Sequence, residues 1–307
     1  MNLEFNFQQF QKDFEVENDL LITRVCQSNS IKNNSLLFNL KPDQSFYDSL
    51  EHYSDLIIFV PKASNIMTLN NPKVVILSVV NPRLSYILVA RKYFKHFDFK
   101  SGFEENSRIH SSSKISKSAV IMPDVFIGPN CIINDNVFIG PGVKILSNTN
   151  INEDTVIGPN SVIGQPGFGV EKDNNKPLSL FPRGGIAYKM PHFGGVIIGS
   201  SCNIGALNTI ASGAIEPTSI GDNVQTDDHV HIAHNCKIGK GVLIAAHAEI
   251  SGSVQIEEDC WIGPNCSIMQ KIIISRGSVI GIGAIVKKSV APNSIISGIE
   301  SKKLIKK

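Results

Sequence analysis

The sequence predicts a mainly β protein in which a small α/β domain precedes a parallel β-solenoid. Two observations support this fold class: isoleucine recurs every six residues over most of the chain, and the composition changes abruptly near residue 104. Of the 42 isoleucines, seven lie in residues 1–108 and 35 in residues 109–307. Phenylalanine has the opposite bias, since 11 of its 16 residues precede residue 104. The two regions therefore build their cores by different rules.

The composition change suggests three segments in this chain of 307 residues. We expect an N-terminal domain at residues 1–103, a solenoid at residues 104–290 with a loop insertion at 165–195, and a short basic tail at residues 291–307. The length suits one large domain or two ordinary ones.

The N-terminal segment has strand and helix signals. The apolar stretches LLITRV, DLIIFVP and KVVILSVV are typical of strands. The stretch NPRLSYILVARKYF predicts a helix that begins at its proline, because the first helical turn needs no N–H at that position. An α/β domain is the simplest arrangement of these signals.

A six-residue repeat organises most of the remaining chain. The period continues at Ile198, Ile204 and Ile210 and restarts at Ile220, from where it runs to Val286. Together these positions make about 25 hexads. The first ten members are Ile109, Ile115, Ile121, Ile127, Ile133, Ile139, Ile145, Ile151, Ile157 and Ile163.

Each hexad has a consistent internal pattern. A small or branched residue stands four positions after the isoleucine, so it shares a strand face with the next isoleucine. Glycine, asparagine or aspartate often follows the isoleucine directly, and we interpret these residues as tight corners that tolerate positive φ. A helix is excluded because six matches neither a 3.6-residue nor a seven-residue period. The repeat therefore predicts short strands and corners stacked in parallel.

Charge and hydropathy exclude two classes of partner. The 29 basic and 27 acidic residues give a net charge of +2, which argues against binding a nucleic-acid backbone. The longest apolar runs are only a few residues, so we expect no membrane span. The N-terminal stretch lacks the apolar region of a secretory signal, and a cytoplasmic location is the resulting expectation.

Five of the six cysteines occupy the small position of a hexad, where a thiol acts as a compact apolar side chain. No CxxC pair is present, so we expect neither a metal site nor a disulfide framework from them. Reduced thiols also suit the cytoplasm. These cysteines are Cys131, Cys202, Cys236, Cys260 and Cys266.

Two interruptions of the repeat are candidates for loops. The larger one, residues 165–195, mixes glycine, proline, aromatic residues, arginine and histidine, a composition suited to contacts with a ligand or a neighbouring subunit. Phe168 in this segment is a candidate contact with a ligand. The smaller one, near residues 215–219, is interpreted as a simple bulge.

Histidine is the residue type that points to chemistry, since five of the eight lie between residues 192 and 247. His234 is expected on an outward corner, and Gly252 follows it by 18 residues. A histidine next to an unscreened glycine N–H makes a general base beside an oxyanion donor. Asp227, seven residues before His234, is a candidate to hold the imidazole in one tautomer.

The hexad pattern aliphatic–Gly–x–x–small–x resembles that of the hexapeptide-repeat acyltransferases. The segments HFGGVIIGSSCNIGALNTIASGA and VQTDDHVHIAHNCKIGKG, preceded by GFGV, are similar to those of the UDP-3-O-acylglucosamine N-acyltransferases and their nucleotide-sugar relatives. NPRLSY and IHSSSKI extend the likeness into the first half of the chain. The resemblance implies a left-handed parallel β-helix with 18 residues per coil, hence about eight coils, with His229 stacked on His247.

The resemblance also implies roles for individual residues. In that family the IAHN histidine, here His234, is the general base, and the aspartate and oxyanion glycine correspond to Asp227 and Gly252. A further implied role is stacking on the nucleotide base. Its candidates are Phe38, Phe46 and Tyr47.

The resemblance implies a nucleotide-linked amino sugar as acceptor, an acyl thioester as donor and a homotrimer with sites between subunits. No tightly bound cofactor is expected, and no metal. Departures from the family leave the donor open between acyl-CoA, which the short tail favours, and the phosphopantetheine of an acyl carrier protein. Lys271 stands where the family pattern has a histidine, and His247 is an addition. With His229 they are candidate contacts with substrate or carrier.

Three alternatives remain at this point. The first is a true lipid A UDP-3-O-acylglucosamine N-acyltransferase that uses acyl carrier protein. The second is a metal-dependent β-helix enzyme of the carbonic anhydrase kind, because His229 and His234 are separated by four residues. The third is a binding scaffold without catalytic activity.

Overall fold

The computed structural model describes residues 7–14, 20–64, 69, 71–94, 108–173 and 185–298. The chain divides into two compact units, residues 1–98 with 168–191 and residues 99–167 with 192–307. We call them the N-terminal unit and the solenoid unit. Most of the expected loop insertion thus belongs to the N-terminal unit. The boundary expected near residue 104 and the lysines of the tail beyond residue 298 lie outside the described residues.

The elements up to residue 94 are, in chain order, α1 Phe7–Phe14, β1 Arg24–Val25, β2 Ser35–Phe38, α2 Gln44–Ser49, a 3₁₀ turn Leu50–His52, β3 Leu56–Pro61, β4 Val74–Val79 and α3 Pro82–Tyr93. The next strands are β5 Lys114–Ile115, β6 Val120–Ile121, β7 Phe126–Ile127, β8 Ile132–Ile133, β9 Phe138–Ile139, β10 Lys144–Ile145, β11 Thr149–Ile151, β12 Val156–Ile157, β13 Val162–Pro166, β14 Val170–Lys172 and β15 Ala187–Lys189.

The remaining strands are β16 Val196–Ile198, β17 Asn203–Ile204, β18 Thr209–Ser212, β19 Thr218–Ile220, β20 Gln225–Thr226, β21 His231–Ile232, β22 Lys237–Ile238, β23 Leu243–Ile244, β24 Glu249–Ile250, β25 Gln255–Ile256, β26 Trp261–Ile262, β27 Ser267–Ile268, β28 Ile273–Ile274, β29 Val279–Ile280, β30 Ile285–Val286 and β31 Ile295–Ile296.

The N-terminal unit is built on a four-stranded parallel sheet in the order β1-β2-β3-β4. Consecutive strand residues point to opposite faces, so both faces of β2 are covered. Leu37 packs in a cluster with Phe46 and Tyr47 of α2, whereas Phe38 lies against Tyr86 of α3, with ring centroids 5.2 Å apart. The expected small α/β domain is confirmed.

Helix α3 begins with the NPRLSY segment, which links the helix to the antiparallel hairpin β14–β15 of the same unit. The side chain of Asn81 accepts a hydrogen bond from Leu84 N and so caps the helix, which begins at Pro82. Arg83 donates to Glu171 of the hairpin at 2.9 Å, and the Glu171 side chain is only 8% exposed. A buried charge needs such a partner, and this ion pair ties the hairpin to the helix.

The solenoid unit has three parallel sheets, one on each side of a triangular coil. Strands β5, β8, β11, β16, β19, β22, β25 and β28 form face 1, and β6, β9, β12, β17, β20, β23, β26, β29 and β31 form face 2. Face 3 contains β7, β10, β13, β18, β21, β24, β27 and β30. The expected parallel β-helix of about eight coils is therefore confirmed. Each coil passes from face 1 to face 2 to face 3, and the next corner leads back to face 1.

Almost every solenoid strand has an outward residue and an inward isoleucine, and the inward residue is Thr226 in β20 and Val286 in β30. Ile127, Ile145 and Ile163 are completely buried, and they are paired in register on successive coils of face 3. The inward residues of all three faces form one continuous apolar core. All six cysteines are buried and none forms a disulfide bond, and five of them lie at the expected small position. The isoleucine period thus reports the inner surface of the coil.

Our interpretation of the corner glycines is wrong in one respect. Most glycines directly after the isoleucine, such as Gly140 and Gly158, do not have positive φ, and Gly164 with a φ of +88° is an exception. A β-carbon on Gly140 would instead lie 2.9 Å from the carbonyl oxygen of Ile157 on the next coil. Positive φ occurs two residues later, for example at Asn130 (56°) and Asn160 (57°). The first position therefore requires glycine for close approach of the coils, and the third requires a residue that tolerates the left-handed conformation.

Candidate active site

His234 follows β21 at the corner between face 3 and face 1. Its imidazole is half-buried between two glycines. A β-carbon on Gly252 would lie 2.9 Å from Nε2, and one on Gly167 would lie 2.7 Å from Cδ2. Both positions therefore leave space for the imidazole that any other residue would occupy. Nε2 lies beside the backbone of Gly252, as the 18-residue spacing predicts.

The Gly252 amide is available for a ligand. The neighbouring amides of Ser251 and Ser253 donate to the carbonyls of Ile268 and His234, at 3.1 and 2.9 Å. In the described part of the chain, no group accepts a hydrogen bond from the Gly252 N–H. A half-exposed N–H donor next to an imidazole is the pair of groups that stabilises an oxyanion during acyl transfer.

The other imidazole nitrogen of His234 contacts a residue that the sequence analysis missed. Nδ1 lies 2.9 Å from Oδ1 of Asn235. That Oδ1 also accepts from Ala214 N at 3.3 Å, and Nδ2 donates to Glu216 O at 3.5 Å. The backbone N–H of Asn235 donates to Oγ1 of Thr218 at 2.9 Å. The Asn235 amide is therefore held from the segment between β18 and β19.

That segment, the smaller interruption of the repeat, is closely packed. A β-carbon on Gly213 would lie 1.8 Å from Glu216 O, and one on Gly194 would lie 2.4 Å from the same atom. Gly195 has a φ of +73° and accepts from the amide of Gly213 at 3.0 Å. The interpretation of a simple bulge is incomplete, because this segment supplies two of the groups that hold Asn235.

A second imidazole lies against His234. The rings of His192 and His234 meet edge to face, with centroids 5.4 Å apart and an interplanar angle of 74°. His192 belongs to the solenoid unit and precedes the buried Phe193. In the sequence, His192 lies within the larger insertion at residues 165–195. The insertion changes the length of the coil, so the six-residue period does not predict the position of His192.

Asp227 lies at a different corner of the same coil. It follows β20 and precedes β21, so it occupies the corner between faces 2 and 3, whereas His234 follows β21. The Asp227 carboxylate accepts from the amide of Asp228 at 2.8 Å. Within one chain the imidazole of His234 therefore contacts Asn235, whereas Asp227 lies at another corner.

His229 and His247 occupy the corner of Asp227 on successive coils. Their rings stack with centroids 4.7 Å apart and an interplanar angle of 4°, as their separation by one coil predicts. Both are exposed and both have left-handed backbones, with φ of 59° and 60°. A buried amide supports this corner, because Asn208 donates to Asp227 O at 3.0 Å and accepts from Val230 N at 2.6 Å.

The metal alternative needs His229 and His234 as a pair of ligands, and the structure separates them. They stand on opposite sides of β21, at different corners. Within the ranges that the structure describes, no group of three or more histidine, cysteine, aspartate or glutamate side chains is arranged to hold a metal ion.

Lysines follow His234 along the corner between faces 3 and 1. Lys271 is exposed, has a φ of 63° and donates its amide to Gly252 O at 3.0 Å. Lys287 and Lys288 follow β30 at the same corner, nearer the end of the solenoid. Both lysines line a cavity of about 410 Å³ whose other walls include Val290 and Ile296. The first coil after His234 has no lysine at this corner, the second has Lys271, and the third has Lys287 and Lys288.

The three candidate nucleotide-binding residues have different surroundings in the N-terminal unit. Phe46 and Tyr47 are buried with ring centroids 5.7 Å apart, and Phe38 lies against Tyr86. Tyr47 lines a cavity of about 670 Å³, and Phe38 and Phe46 are not among the residues that line it. Burial raises the pKa of Tyr47, and in the described residues its hydroxyl has no hydrogen-bond partner.

This cavity lies where two parallel strands end. Lys41 and Asp43 follow β2, Ala63 and Ser64 follow β3, and all four line it with Tyr47. The carboxyl ends of parallel strands are the usual ligand site of open α/β sheets. Phe168, the remaining sequence-predicted contact, also belongs to the N-terminal unit and is 89% exposed.

No helix in the described ranges combines the length and apolar character needed to cross a bilayer.

Comparisons with known proteins match several parts of the chain. Residues 217–252 match the family of bacterial transferase hexapeptide repeats, and residues 103–166 match the GMPPB C-terminal domain family. A UDP-N-acetylglucosamine acyltransferase from Campylobacter jejuni aligns with 61% of this chain and 70% of its own, at 26% identity and a TM-score of 0.45.

Curated relatives match over shorter stretches. UDP-3-O-acylglucosamine N-acyltransferases from Bordetella parapertussis and Dechloromonas aromatica are 36% and 46% identical over 111 and 72 residues. These alignments cover 36% and 24% of this chain and 31% and 21% of the relatives, so the chain spans about a third of their length or less. Over these stretches the chain is therefore similar to bacterial transferase hexapeptide-repeat proteins and to UDP-3-O-acylglucosamine N-acyltransferases.

Proposed function

We propose that this protein is an N-acyltransferase that moves an acyl group from a thioester to the amine of a nucleotide-linked amino sugar. The relatives named above act on an acylglucosamine carried by UDP, which supports this acceptor class. One observation carries the proposal: Nε2 of His234 lies beside the Gly252 backbone, whose N–H has no partner among the described residues. A base and an oxyanion donor at one point are what acyl transfer requires.

In this mechanism the sugar amine attacks the thioester carbonyl carbon, and Nε2 of His234 takes a proton from the nitrogen. The electron pair of the carbonyl moves to its oxygen, where the Gly252 N–H stabilises the negative charge. The intermediate then collapses, the C–S bond breaks, and the sulfur takes the proton from His234. The products are an amide and a free thiol, and no covalent enzyme intermediate is needed.

The proposed assembly is a homotrimer with sites between neighbouring copies. Asp227 and His234 of one chain occupy different corners, so Asp227 would act on the imidazole of another copy. Face 2 supports an interface, because the outward side chains of seven of its nine described strands are exposed and apolar, Asn203 and Gln225 being the exceptions. The largest are Phe138, Leu243 and Trp261.

The interface is tested by sedimentation. We expect the wild-type chain to sediment as three copies and Trp261→Glu to dissociate, because a carboxylate would be buried without a partner. Gln255→Glu, an outward residue of β25 on face 1, is the matched control and should remain trimeric. A monomeric wild type would contradict the assembly.

The cavity at the carboxyl ends of β2 and β3 is the proposed nucleotide site. Lys41 supplies a positive charge for a phosphate, and Tyr47 supplies a hydroxyl that lacks a partner in the described residues. Phe38 and Phe46 then act behind the cavity as packing residues, and exposed Phe168 is left to contact substrate or carrier. The sequence-based candidates for stacking on the base were Phe38 together with either Phe46 or Tyr47, and this proposal assigns the nucleotide contact to Tyr47.

The donor is proposed to be acyl-CoA, with acyl carrier protein as the alternative. Both end in a phosphopantetheine thiol, and Lys271, Lys287 and Lys288 follow His234 along one corner, where phosphates would be attracted. His229 and His247 remain candidate contacts if a neighbouring copy brings them to this corner. The six cysteines form no disulfide bond, which supports the expected cytoplasmic location.

The activity is tested with a panel of UDP- and dTDP-linked amino sugars, each incubated with acetyl-CoA or with acyl-loaded acyl carrier protein. We expect one sugar to gain the mass of the acyl group and an equal amount of thiol to be released. His234→Gln should lower kcat by about 10²- to 10⁴-fold. The exposed His52 provides the matched control, and His52→Gln should leave the rate unchanged.

The outcomes separate the alternatives. Transfer only from acyl carrier protein would favour a lipid A enzyme, and equal rates in His234→Gln and wild type would eliminate the proposed base. Binding of a nucleotide sugar without transfer from either donor would indicate a scaffold.

A further inference from the structure

We infer that Asn235 is the positioning residue that fixes the tautomer of His234, and that the segment 212–218 fixes Asn235 in turn. This inference rests on the proposed function only for its consequence in catalysis. The geometry on which it depends is a property of the folded chain.

The hydrogen bond at Nδ1 of His234 can have only one direction. Nδ1 of His234 and Oδ1 of Asn235 are 2.9 Å apart, and an amide oxygen only accepts. The bond therefore requires a proton on Nδ1. In the neutral imidazole this leaves Nε2, the nitrogen beside Gly252, with a free electron pair to act as a base.

The side-chain amide of Asn235 is held in one of its two orientations. A flip of the Asn235 side chain would exchange Oδ1 and Nδ2, present a donor to Nδ1 and favour the opposite tautomer. Ala214 N can only donate and Glu216 O can only accept, and they face Oδ1 and Nδ2 at 3.3 and 3.5 Å. Both contacts are long, yet both oppose the flip. Their combined direction selects one orientation.

Asparagine suits position 235 for two reasons, its backbone conformation and its side-chain amide. Asn235 has a φ of 61°, a left-handed conformation that asparagine tolerates better than most residues. An aspartate would keep the acceptor for Nδ1 but would place an oxygen against Glu216 O. Only the amide satisfies the imidazole, the donor and the acceptor together.

The smaller interruption of the repeat supplies the groups that hold Asn235. In regular coils the corner before β19 would contain no extra residues, whereas here Ala214 and Glu216 belong to the added segment. Thr218, at its end, accepts from Asn235 N and holds the corner backbone. The added residues are thus placed one coil before His234, at the same corner.

The test reads the tautomer directly and does not depend on turnover. The full-length chain is labelled with ¹⁵N-histidine, and its imidazole nitrogens are recorded by magic-angle-spinning NMR at a pH where the imidazole is neutral. The His234 signals are those lost in His234→Gln. We expect protonated Nδ1 and bare Nε2 in the wild type. Asn235→Gly preserves the left-handed backbone but removes the amide, so we expect a mixture of both tautomers.

Two matched variants sharpen the result. Asn223→Gly changes an exposed corner asparagine with a φ of 56° and should leave the His234 spectrum unchanged. Asn235→Asp should keep Nδ1 protonated and stabilise the imidazolium, so the acidic limb of kcat/KM should move up by at least about one pH unit. Asn235→Gly should lower kcat by about 10-fold or more with little change in KM.

A wild-type protein with the proton on Nε2, or an unchanged tautomer in Asn235→Gly, would overturn the inference. If the tautomers change as expected while no variant and no wild-type preparation transfers an acyl group, the positioning role stands and the proposed function fails. The two conclusions are therefore tested separately.

Discussion

Gly252 and His234 stand one coil apart at the same corner, and a β-carbon on Gly252 would lie 2.9 Å from Nε2 and 3.0 Å from Cε1 of the imidazole. Gly252 does not have positive φ, so the requirement for glycine here is one of space. The same backbone offers an N–H that no described group accepts. One residue therefore makes room for the base and supplies the oxyanion donor next to it.

This relationship predicts the effect of Gly252→Ala. The added methyl group should displace the imidazole and screen the N–H, and loss of one oxyanion donor costs about 10²- to 10³-fold in kcat. Initial rates and the urea unfolding midpoint should be measured together. Gly128→Ala is the matched control, because its β-carbon would meet only 3.2 and 3.4 Å contacts. Equal activity losses in the two variants would contradict the prediction.

The segment that holds Asn235 predicts a second effect. Gly213→Ala would place a β-carbon 1.8 Å from Glu216 O, so the carbonyl that accepts from Asn235 must move. We expect overpacking to lower the free energy of unfolding by about 1–3 kcal/mol. Urea unfolding measures the loss, and kcat should fall further than in Gly128→Ala. Unchanged stability would mean that the segment relaxes without cost.

The fold could be predicted from the sequence because its main determinant is periodic. An inward isoleucine every six residues is an observable repeat, and Ile127, Ile145 and Ile163 stack as the period requires. The physical reason for the glycines was less accessible, because Gly140 is required by the backbone of the following coil and not by its own φ. A pattern identifies a position but not the force that restricts it.

The candidate site was predicted only where the period holds. His234 and Gly252 are 18 residues apart in uninterrupted repeats, and they meet. Asn235 was missed because its partners, Ala214 and Glu216, lie in an interruption where the spacing carries no three-dimensional information. Asp227 is close to His234 in sequence, yet a strand of face 3 separates their corners.

The buried thiols predict a pH dependence of stability. Burial raises the pKa of Cys131 to about 11 and that of Cys236 to about 12, above the ordinary value of 9.0. The unfolded chain therefore loses these protons first. The stability that the protonated thiols contribute is fully present below pH 9 and decreases as the pH rises towards 11–12.

We therefore expect the urea midpoint to fall between pH 9 and 11, and the double variant Cys131→Ala, Cys236→Ala to show a shallower fall. Ellman's reagent at pH 8 should leave the folded protein unmodified and should titrate six thiols in denaturant. Rapid modification of the folded chain at pH 8 would show that the thiols are accessible.

Tyr47 predicts opposite changes in stability and binding. Tyr47 is only 3% exposed. Its hydroxyl forms no hydrogen bond with any group of the described residues. Tyr47→Phe removes a buried polar atom that makes no hydrogen bond, so the free energy of unfolding should stay the same or increase. If a nucleotide in the cavity lined by Tyr47 displaces the neighbouring groups and reaches this buried hydroxyl, the same change should weaken UDP or dTDP binding about 10-fold, the loss of one hydrogen bond. Isothermal titration and thermal unfolding of one preparation measure both effects. Tyr53→Phe, a tyrosine outside the cavity lining, is the matched control for affinity. A variant that loses stability while keeping full nucleotide affinity would assign the hydroxyl to the fold and the nucleotide to another place.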